Sequence, residues 1–308
     1  MRQLLVIFLI LTIFIAGCPS DDSSSTGDKF RTGTQALAIS FIQNQPPSRI
    51  VLQNDQDYPA DVAIELRNLG AEDIVEGTGV LIFSGYDGNL VTWGLPSKSK
   101  PIPKLDGKSF SNPQGGKDIV QVDGNIITTA IGEVYRPVFQ VTACYDYKTQ
   151  AQISMCIDPD PTGKSTKPCS AADISASSGQ GGPIVVTAID QEASPGETLF
   201  KITVKNAGGG DVFIGGFGKC LGTSNEGELN YRDLDRVNIE SVSVGNTQIT
   251  ISCKGLENGV LALTNGQGVF YCNAKFPKGS SFQTTFNVVI SYQYRTSASK
   301  TIEIVKLS

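Results

Sequence analysis

The chain has 308 residues, a formal net charge of −5 and 40% hydrophobic residues, with 33 glycines, 15 prolines and no histidine. That length accommodates two domains of about 100–150 residues, and the acidic balance argues against a nucleic-acid partner, which wants a basic face. The absence of histidine excludes Ser-His-Asp and Cys-His nucleophilic machinery and histidine-containing zinc sites. A carboxylate-only enzyme stays open, but no pair of acids stands out from solvated surface, so the expectation is a non-enzyme with no cofactor and no metal.

Arg2 precedes an apolar run over 4–16 that ends Ile15-Ala16-Gly17-Cys18. A short positive region before thirteen apolar residues reads as a secretory signal, too short for a comfortable membrane span. The small residues ahead of Cys18 resemble a lipobox, which predicts cleavage there and lipid attachment to Cys18 (signal peptide 1–18). The polar stretch that follows has nothing to bury and reads as a flexible tether over 19–35.

A first Ig-like β-sandwich is predicted over 36–157. Leu37, Ile39 and Phe41 alternate, as do Val62, Ile64 and Leu66 up to a turn at Asn68-Leu69-Gly70. Further strands are expected at 80–83, 126–131 and 138–145. Short strands punctuated by Gly, Asn and Pro, with no sustained helical period, give an all-β fold. Between Gly94 and Asp118 lies a loop with Lys98, Lys100, Lys104, Lys108 and Lys117, which Pro96, Pro101 and Pro103 bar from helix or central strand. It is either a candidate interaction surface or a solvated edge cover.

A Cys-, Pro- and Gly-rich linker is predicted over 158–182. Pro161-Thr162-Gly163-Lys164-Ser165 imitates the end of a phosphate-binding loop, but Asp158 stands where its first Gly should be. Asp158 and Asp160 imitate a calcium loop whose twelfth position is Cys169 rather than Glu. A looser calcium site on the two aspartates is the remaining option, against a plain stiff Asp-Pro linker.

A second Ig-like sandwich is predicted over 183–308, with strands at 184–189, 199–205, 237–244, 247–253, 260–263, 268–274, 284–294 and 301–305. Asn265-Gly266 is a two-residue hairpin signal. The loop over 215–236 carries Glu226, Glu228, Asp233 and Asp235, an acidic counterpart of the lysine loop. The two loops are expected to meet, within one molecule or head to tail between molecules, unless both are merely solvated.

The halves echo each other. Tyr145-Asp146-Tyr147-Lys148-Thr149-Gln150-Ala151 returns as Tyr292-Gln293-Tyr294-Arg295-Thr296-Ser297-Ala298, 147 positions later (292 − 145). The segment ending Arg67-Asn68-Leu69-Gly70 returns as Lys205-Asn206-Ala207-Gly208, shifted by 138 (206 − 68). Two matches in one order at nearly one offset indicate a duplicated domain.

With Cys18 assigned to lipid, six cysteines remain, and an even number in an exported chain predicts three disulfides. Cys144, Cys156 and Cys169 precede the second half, and Cys220, Cys253 and Cys272 lie in it, so full pairing needs one bond between the groups. The favoured set is Cys144–Cys156, Cys253–Cys272 and Cys169–Cys220. The main rival among fifteen connectivities replaces the first and last with Cys156–Cys169 and Cys144–Cys220.

The stretch Lys201-Ile202-Thr203-Val204-Lys205-Asn206-Ala207-Gly208 resembles adhesion-type Ig-like modules of archaeal surface proteins, the CARDB and S-layer-associated class, although its Gly208-Gly209-Gly210 run is looser than most CARDB turns. Gln45-Pro46-Pro47-Ser48, Arg67-Asn68-Leu69-Gly70, Asn112-Pro113-Gln114-Gly115-Gly116 and the segment 144–160 are similar to exported proteins of small-genome archaea. The resemblance covers nearly the whole mature chain. It implies a cell-surface sandwich protein and brings no catalytic residue. Together with the lipid anchor read at Cys18, the expectation is a membrane-anchored protein whose partners are other surface proteins or itself. The alternative is a carbohydrate-binding module, for which Trp93 beside the lysine loop, with Tyr86, is the candidate platform, against a core Trp.

Overall fold

The computed structural model describes residues 30–53, 57–95, 98–128, 131–164, 166–176, 178–222 and 227–307. The predicted signal, Cys18, most of the tether and Glu226 lie outside them. The fold is all-β and built of several sheets.

Two strands of 20 residues each, Val138–Ile157 and Phe282–Thr301, form its spine. They pair antiparallel over their whole length, from Val138 opposite Thr301 to Ile157 opposite Phe282. Gly79–Ser84 and then Ser99–Pro101 extend this sheet on one side, while Arg236–Val244, Asp211–Phe213, Val260–Ala262 and Thr247–Gln248 extend it on the other. The spine shows the period-2 pattern of a one-sided strand: Phe139, Val141, Ala143, Tyr145, Tyr147, Thr149 and Ala151 are buried, and the residues between them, apart from Cys144, are more exposed. That inner face is covered by two smaller sheets. Leu37–Phe41, Val62–Asn68 and Lys117–Val122 cover one end, where the Phe41 and Phe139 rings lie 6.0 Å apart. Ile174–Ser175, Ile184–Ser194, Glu197–Asn206 and Gln267–Lys275 cover the other, where Phe200 and Phe286 lie 5.0 Å apart.

The repeat is visible in hydrogen bonds. Asn68 Oδ1 accepts from the Gly70 N–H at 3.0 Å and its Nδ2 donates to Glu72 O at 2.7 Å. Asn206 does the same with Gly208 and Gly210 at 3.2 and 3.0 Å. Each asparagine ends a strand whose partner begins opposite it, Leu37 with Asn68 and Ile184 with Asn206. Asn68 is fully enclosed, where an amide needs its polar atoms bonded, and the half-buried Asn206 repeats its two bonds, so the Asn at this turn shapes the backbone in both copies.

The predicted division at 157/158 and 182/183 does not separate the sheets. The long strands Val138–Ile157 and Phe282–Thr301 pair across the two halves, and the terminal strand Glu303–Lys306 pairs in parallel with Arg49–Leu52 and antiparallel with Val134–Tyr135. The segment predicted as a linker is packed too. Ile174 and Ser175 pair with Ile189 and Ala188, and buried Gln180 exchanges two hydrogen bonds with the Val186 backbone. Two expected strands are shorter than predicted. Thr247–Gln248 gives way to a 3-10 turn at Thr250–Ser252, and among the described residues of the 126–131 region only Ile126, the end of Gly124–Ile126, is in a strand. The Asn265-Gly266 hairpin is present, with φ of 52° and 75° at the two residues.

Candidate interaction site

The two copies of the Tyr-x-Tyr motif lie against each other at the middle of the spine: Tyr145 faces Tyr294 and Tyr147 faces Tyr292. All four rings are on the inner face, with neighbouring centroids 6.0 to 6.3 Å apart. Their hydroxyls hold the covering layers. Tyr145 Oη accepts from the Leu37 N–H at 3.2 Å, and Tyr292 Oη, 2.7 Å from Thr149 Oγ1, accepts from the Ile184 N–H at 3.5 Å. Tyr147 Oη accepts from the Glu72 N–H and donates to Gly181 O, while Tyr294 Oη accepts from the Gly210 N–H and donates to Asn206 Oδ1. Burial raises all four phenol pKa values above the usual tyrosine range. They stay neutral, and the quartet is a structural joint rather than an acid–base centre.

Beside this joint the spine has a bare edge. Gly79–Ser84 pairs with the spine strand only over 140–145, and the Asp146 N–H donates to Thr78 O at 2.9 Å. Past that point no strand flanks Val138–Ile157 on this side among the described residues. Backbone groups turn to one edge at every second residue, so Lys148, Gln150, Gln152 and Ser154 direct their N–H and C=O outward there. A groove of about 520 Å³ opens at the start of this edge, between the 71–78 segment with Glu72 and Asp73 and the strand residues Asp146, Lys148 and Gln293. Gln293 Nε2 donates to Asp146 Oδ1 at 2.9 Å. A smaller cavity of about 150 Å³ follows along Gln150, Gln152 and Ile153 beneath Arg31 and the 178–180 turn. Sequence reasoning did not single out this edge. Its one legible sign was Lys148, the basic member of the repeated motif.

The two charged loops are not joined by an ion pair among the described residues. Lys98 lies over the Tyr86 ring at 5.6 Å, Lys100 donates to Gln121 O at 2.6 Å, and Lys104 pairs with Asp106 of its own loop at 2.8 Å. Lys108 lies in the same loop, its N–H bonded to Gly70 O. On the acidic side Glu228 sits against Gly222 and Asp235 bonds to Val212 O through its backbone. Asp233 is closed off with Lys219 at 2.7 Å, both side chains largely buried. Burial pushes the Asp233 carboxyl up, but Lys219 and the Asn230 N–H outweigh it and hold its pKa below the usual value.

The acidic loop reaches the first half through a covalent bond and apolar contact. Cys220 is bonded to Cys144, and Phe217, Leu221, Leu229 and Leu234 pack around Val80, Ile82 and Phe213. Cys156 is bonded to Cys169 and Cys253 to Cys272. The expected Cys144–Cys156 and Cys169–Cys220 pairs are thus replaced by the rival connectivity. Cys144 sits where the loop crosses the sheet, while Cys156 lies twelve residues further along the spine beside the 158–169 turn. Cys253–Cys272 is as expected.

Two further candidates resolve as structure. Trp93 packs against Phe139 at 4.9 Å and Tyr86 at 5.7 Å, and an added Cβ at Gly124 would overlap its six-membered ring. A sugar platform needs an open ring face, and this ring is partly buried against its aromatic neighbours. Asp158 is buried and paired with Lys167 Nζ at 2.6 Å, which also donates to Pro161 O at 2.9 Å. The ammonium lies where a calcium ion bound to Asp158 would have to sit.

No family model matches this chain, and no curated protein matches it. Among solved structures, the CupB6 tip adhesin from Pseudomonas aeruginosa is similar at 10% sequence identity and a TM-score of 0.19, over 89% of this chain and 98% of that one. A superposition that loose carries no argument about what this chain does, and the resemblance to archaeal Ig-like modules rests on its motifs alone.

Proposed function

We propose that the protein is a cell-surface, lipid-anchored structural or adhesion protein, two Ig-like halves joined edge to edge through a shared sheet, that works by binding other proteins. The observation that carries this reading is the disulfide set. Three bonds use Cys144, Cys156, Cys169, Cys220, Cys253 and Cys272, leaving Cys18 in its lipobox-like context as the odd cysteine. Such a pattern belongs to an oxidising space outside the cytosol. The exposed lysine loop and the rest of the acidic loop are candidate contact surfaces between molecules. Contacts of that kind weaken as salt rises, since the screening length is only about 8 Å at physiological ionic strength.

Cross-linking intact cells with a membrane-impermeant reagent tests the reading. The wild type should sediment with membranes and be captured with exported partners, whereas Cys18→Ser should be released or left uncleaved. A Cys18→Ser chain that is processed normally and stays membrane-bound would refute the anchor. A wild type that the reagent cannot reach would refute the surface location.

A further inference from the structure

We propose that the turn bearing Phe110 is a membrane contact: its ring enters the headgroup layer of the bilayer that holds Cys18 and steadies the first half against that surface. The inference rests on the lipid anchor of the proposed function and names what this part of the lysine loop touches.

Phe110 is 82% exposed, yet the turn that presents it is firmly bonded. Ser109 and Asn112 exchange backbone hydrogen bonds at 3.0 and 3.2 Å, and the Asn112 N–H also donates to Ser109 Oγ at 3.1 Å. The Gly107 N–H donates to Asp73 Oδ1 at 2.7 Å, the Lys108 N–H to Gly70 O at 2.8 Å and the Gly116 N–H to Asp106 O at 2.7 Å. Gly115 has φ of 72°, and an added Cβ there would overlap Asn68 O, so the turn lies directly on the first repeat asparagine. A ring standing in water contributes nothing to the fold, whereas covering it is worth about 1.5–3 kcal/mol. A turn tied at both ends that holds such a ring outward places it for a contact outside the chain.

The neighbouring residues say what that contact is. Phe30 stands edge-on to Phe110, ring centroids 6.4 Å apart. Just after it the chain is pinned: Arg31 pairs with Glu72 at 2.6 Å, and the Gly33 N–H donates to Ser178 O at 2.8 Å. Residues 19–29, eleven in number, separate Phe30 from Cys18. Eleven residues reach at most about 40 Å when fully extended. Phe110 therefore stands beside the point where the chain departs for its anchor. Residues 107–116, Gly-Lys-Ser-Phe-Ser-Asn-Pro-Gln-Gly-Gly, carry no carboxylate, and Asp106 just ahead of them is paired with Lys104. An aromatic ring with a lysine and small polar neighbours suits the boundary between headgroups and acyl chains, where the lysine gains about 1 kcal/mol from an anionic surface. One ring binds weakly from solution. With the lipid already inserted, the contact becomes intramolecular and its effective concentration is high.

The test uses the full lipidated, disulfide-bonded protein in vesicles of phosphatidylcholine and phosphatidylglycerol, with and without acyl chains brominated near the headgroup. Phe110→Trp places a reporter on the turn, and the wild type, whose one tryptophan is Trp93, gives the baseline. The added emission should shift to shorter wavelength on reconstitution and fall about twofold or more with brominated lipid. Lys108→Glu in the same background should lessen that quenching. Ile251→Trp is the control, because Ile251 is 97% exposed on the Thr250–Ser252 turn of the second half, and its emission should not be quenched. If the protein floats with the vesicles and the Phe110→Trp emission ignores brominated lipid, the proposal is overturned and the anchor stands. Equal quenching of Ile251→Trp also overturns it, since the protein then lies on the bilayer with no chosen contact. A blue shift in detergent that grows with protein concentration overturns it in favour of a second copy. A Cys18 that carries no lipid by mass, in a protein that does not float, removes the anchor and this proposal together.

Discussion

Phe139→Ala should lower the unfolding free energy by about 3–5 kcal/mol, the usual cost of emptying an aromatic site in a core that cannot collapse. Phe139 is 1% exposed and sits on the spine where the covering layers converge. Its ring lies within 6.3 Å of Phe41, Phe83, Tyr86 and Trp93, so one truncation loosens contacts to several elements at once. The adjacent Val138→Ala is the control. Val138 is 54% exposed and should change stability by less than about 1 kcal/mol. Urea unfolding of the two variants separates them, and equal losses would mean that the inner face has been misassigned.

The joint replacement Cys144→Ser with Cys220→Ser should be the most damaging disulfide removal. The cysteines are 76 residues apart in sequence, and in the chain-entropy account closing so long a loop stabilises by about 4–5 kcal/mol, against about 3 kcal/mol for the separation of 13 between Cys156 and Cys169. There is a packing consequence as well. The bond holds the acidic loop on the sheet, and its loss should expose the apolar cluster of Phe217, Leu221, Leu229 and Leu234. Increased binding of a hydrophobic dye under native conditions would report that exposure. A Cys156→Ser, Cys169→Ser protein less stable than the Cys144→Ser, Cys220→Ser protein would contradict the ordering.

Much of the architecture is legible from residues, for reasons that are local. Alternation over 62–66 and 199–205, the Asn-x-Gly turns at Asn68 and Asn206, and Asn265-Gly266 each encode geometry within a few positions. The duplication is legible because Tyr145 and Tyr292 carry the same neighbours. What the repeat does not encode is that its two copies face each other. Identity of two motifs says nothing about which edges meet, and the pairing of Tyr145 with Tyr294 is a long-range fact. The second half of each spine strand is hidden for a related reason. The predicted strand stops at Tyr145, and Gln150, Gln152 and Ser154, polar on a solvated outer face, carry no strand signal. The parallel pairing of Glu303–Lys306 with Arg49–Leu52 likewise has no sequence signal. In the disulfides, the expected Cys144–Cys156 pair gives way because the 217–221 turn crosses onto the sheet at Cys144 and brings Cys220 to it.

The claim on which all of this stands is that the two halves are one sheet, stitched along Val138–Ile157 and Phe282–Thr301. Gln152 and Asn287 are directly opposed in that pairing, with backbone groups of Gln152 turned to the other edge, the close-set arrangement in which side chains approach best. Mass mapping of the oxidised Gln152→Cys, Asn287→Cys variant is the most direct test. The account predicts a fourth disulfide joining positions 152 and 287, formed without disturbing Cys144–Cys220, Cys156–Cys169 or Cys253–Cys272. Two free thiols at these positions in an otherwise native protein would contradict it.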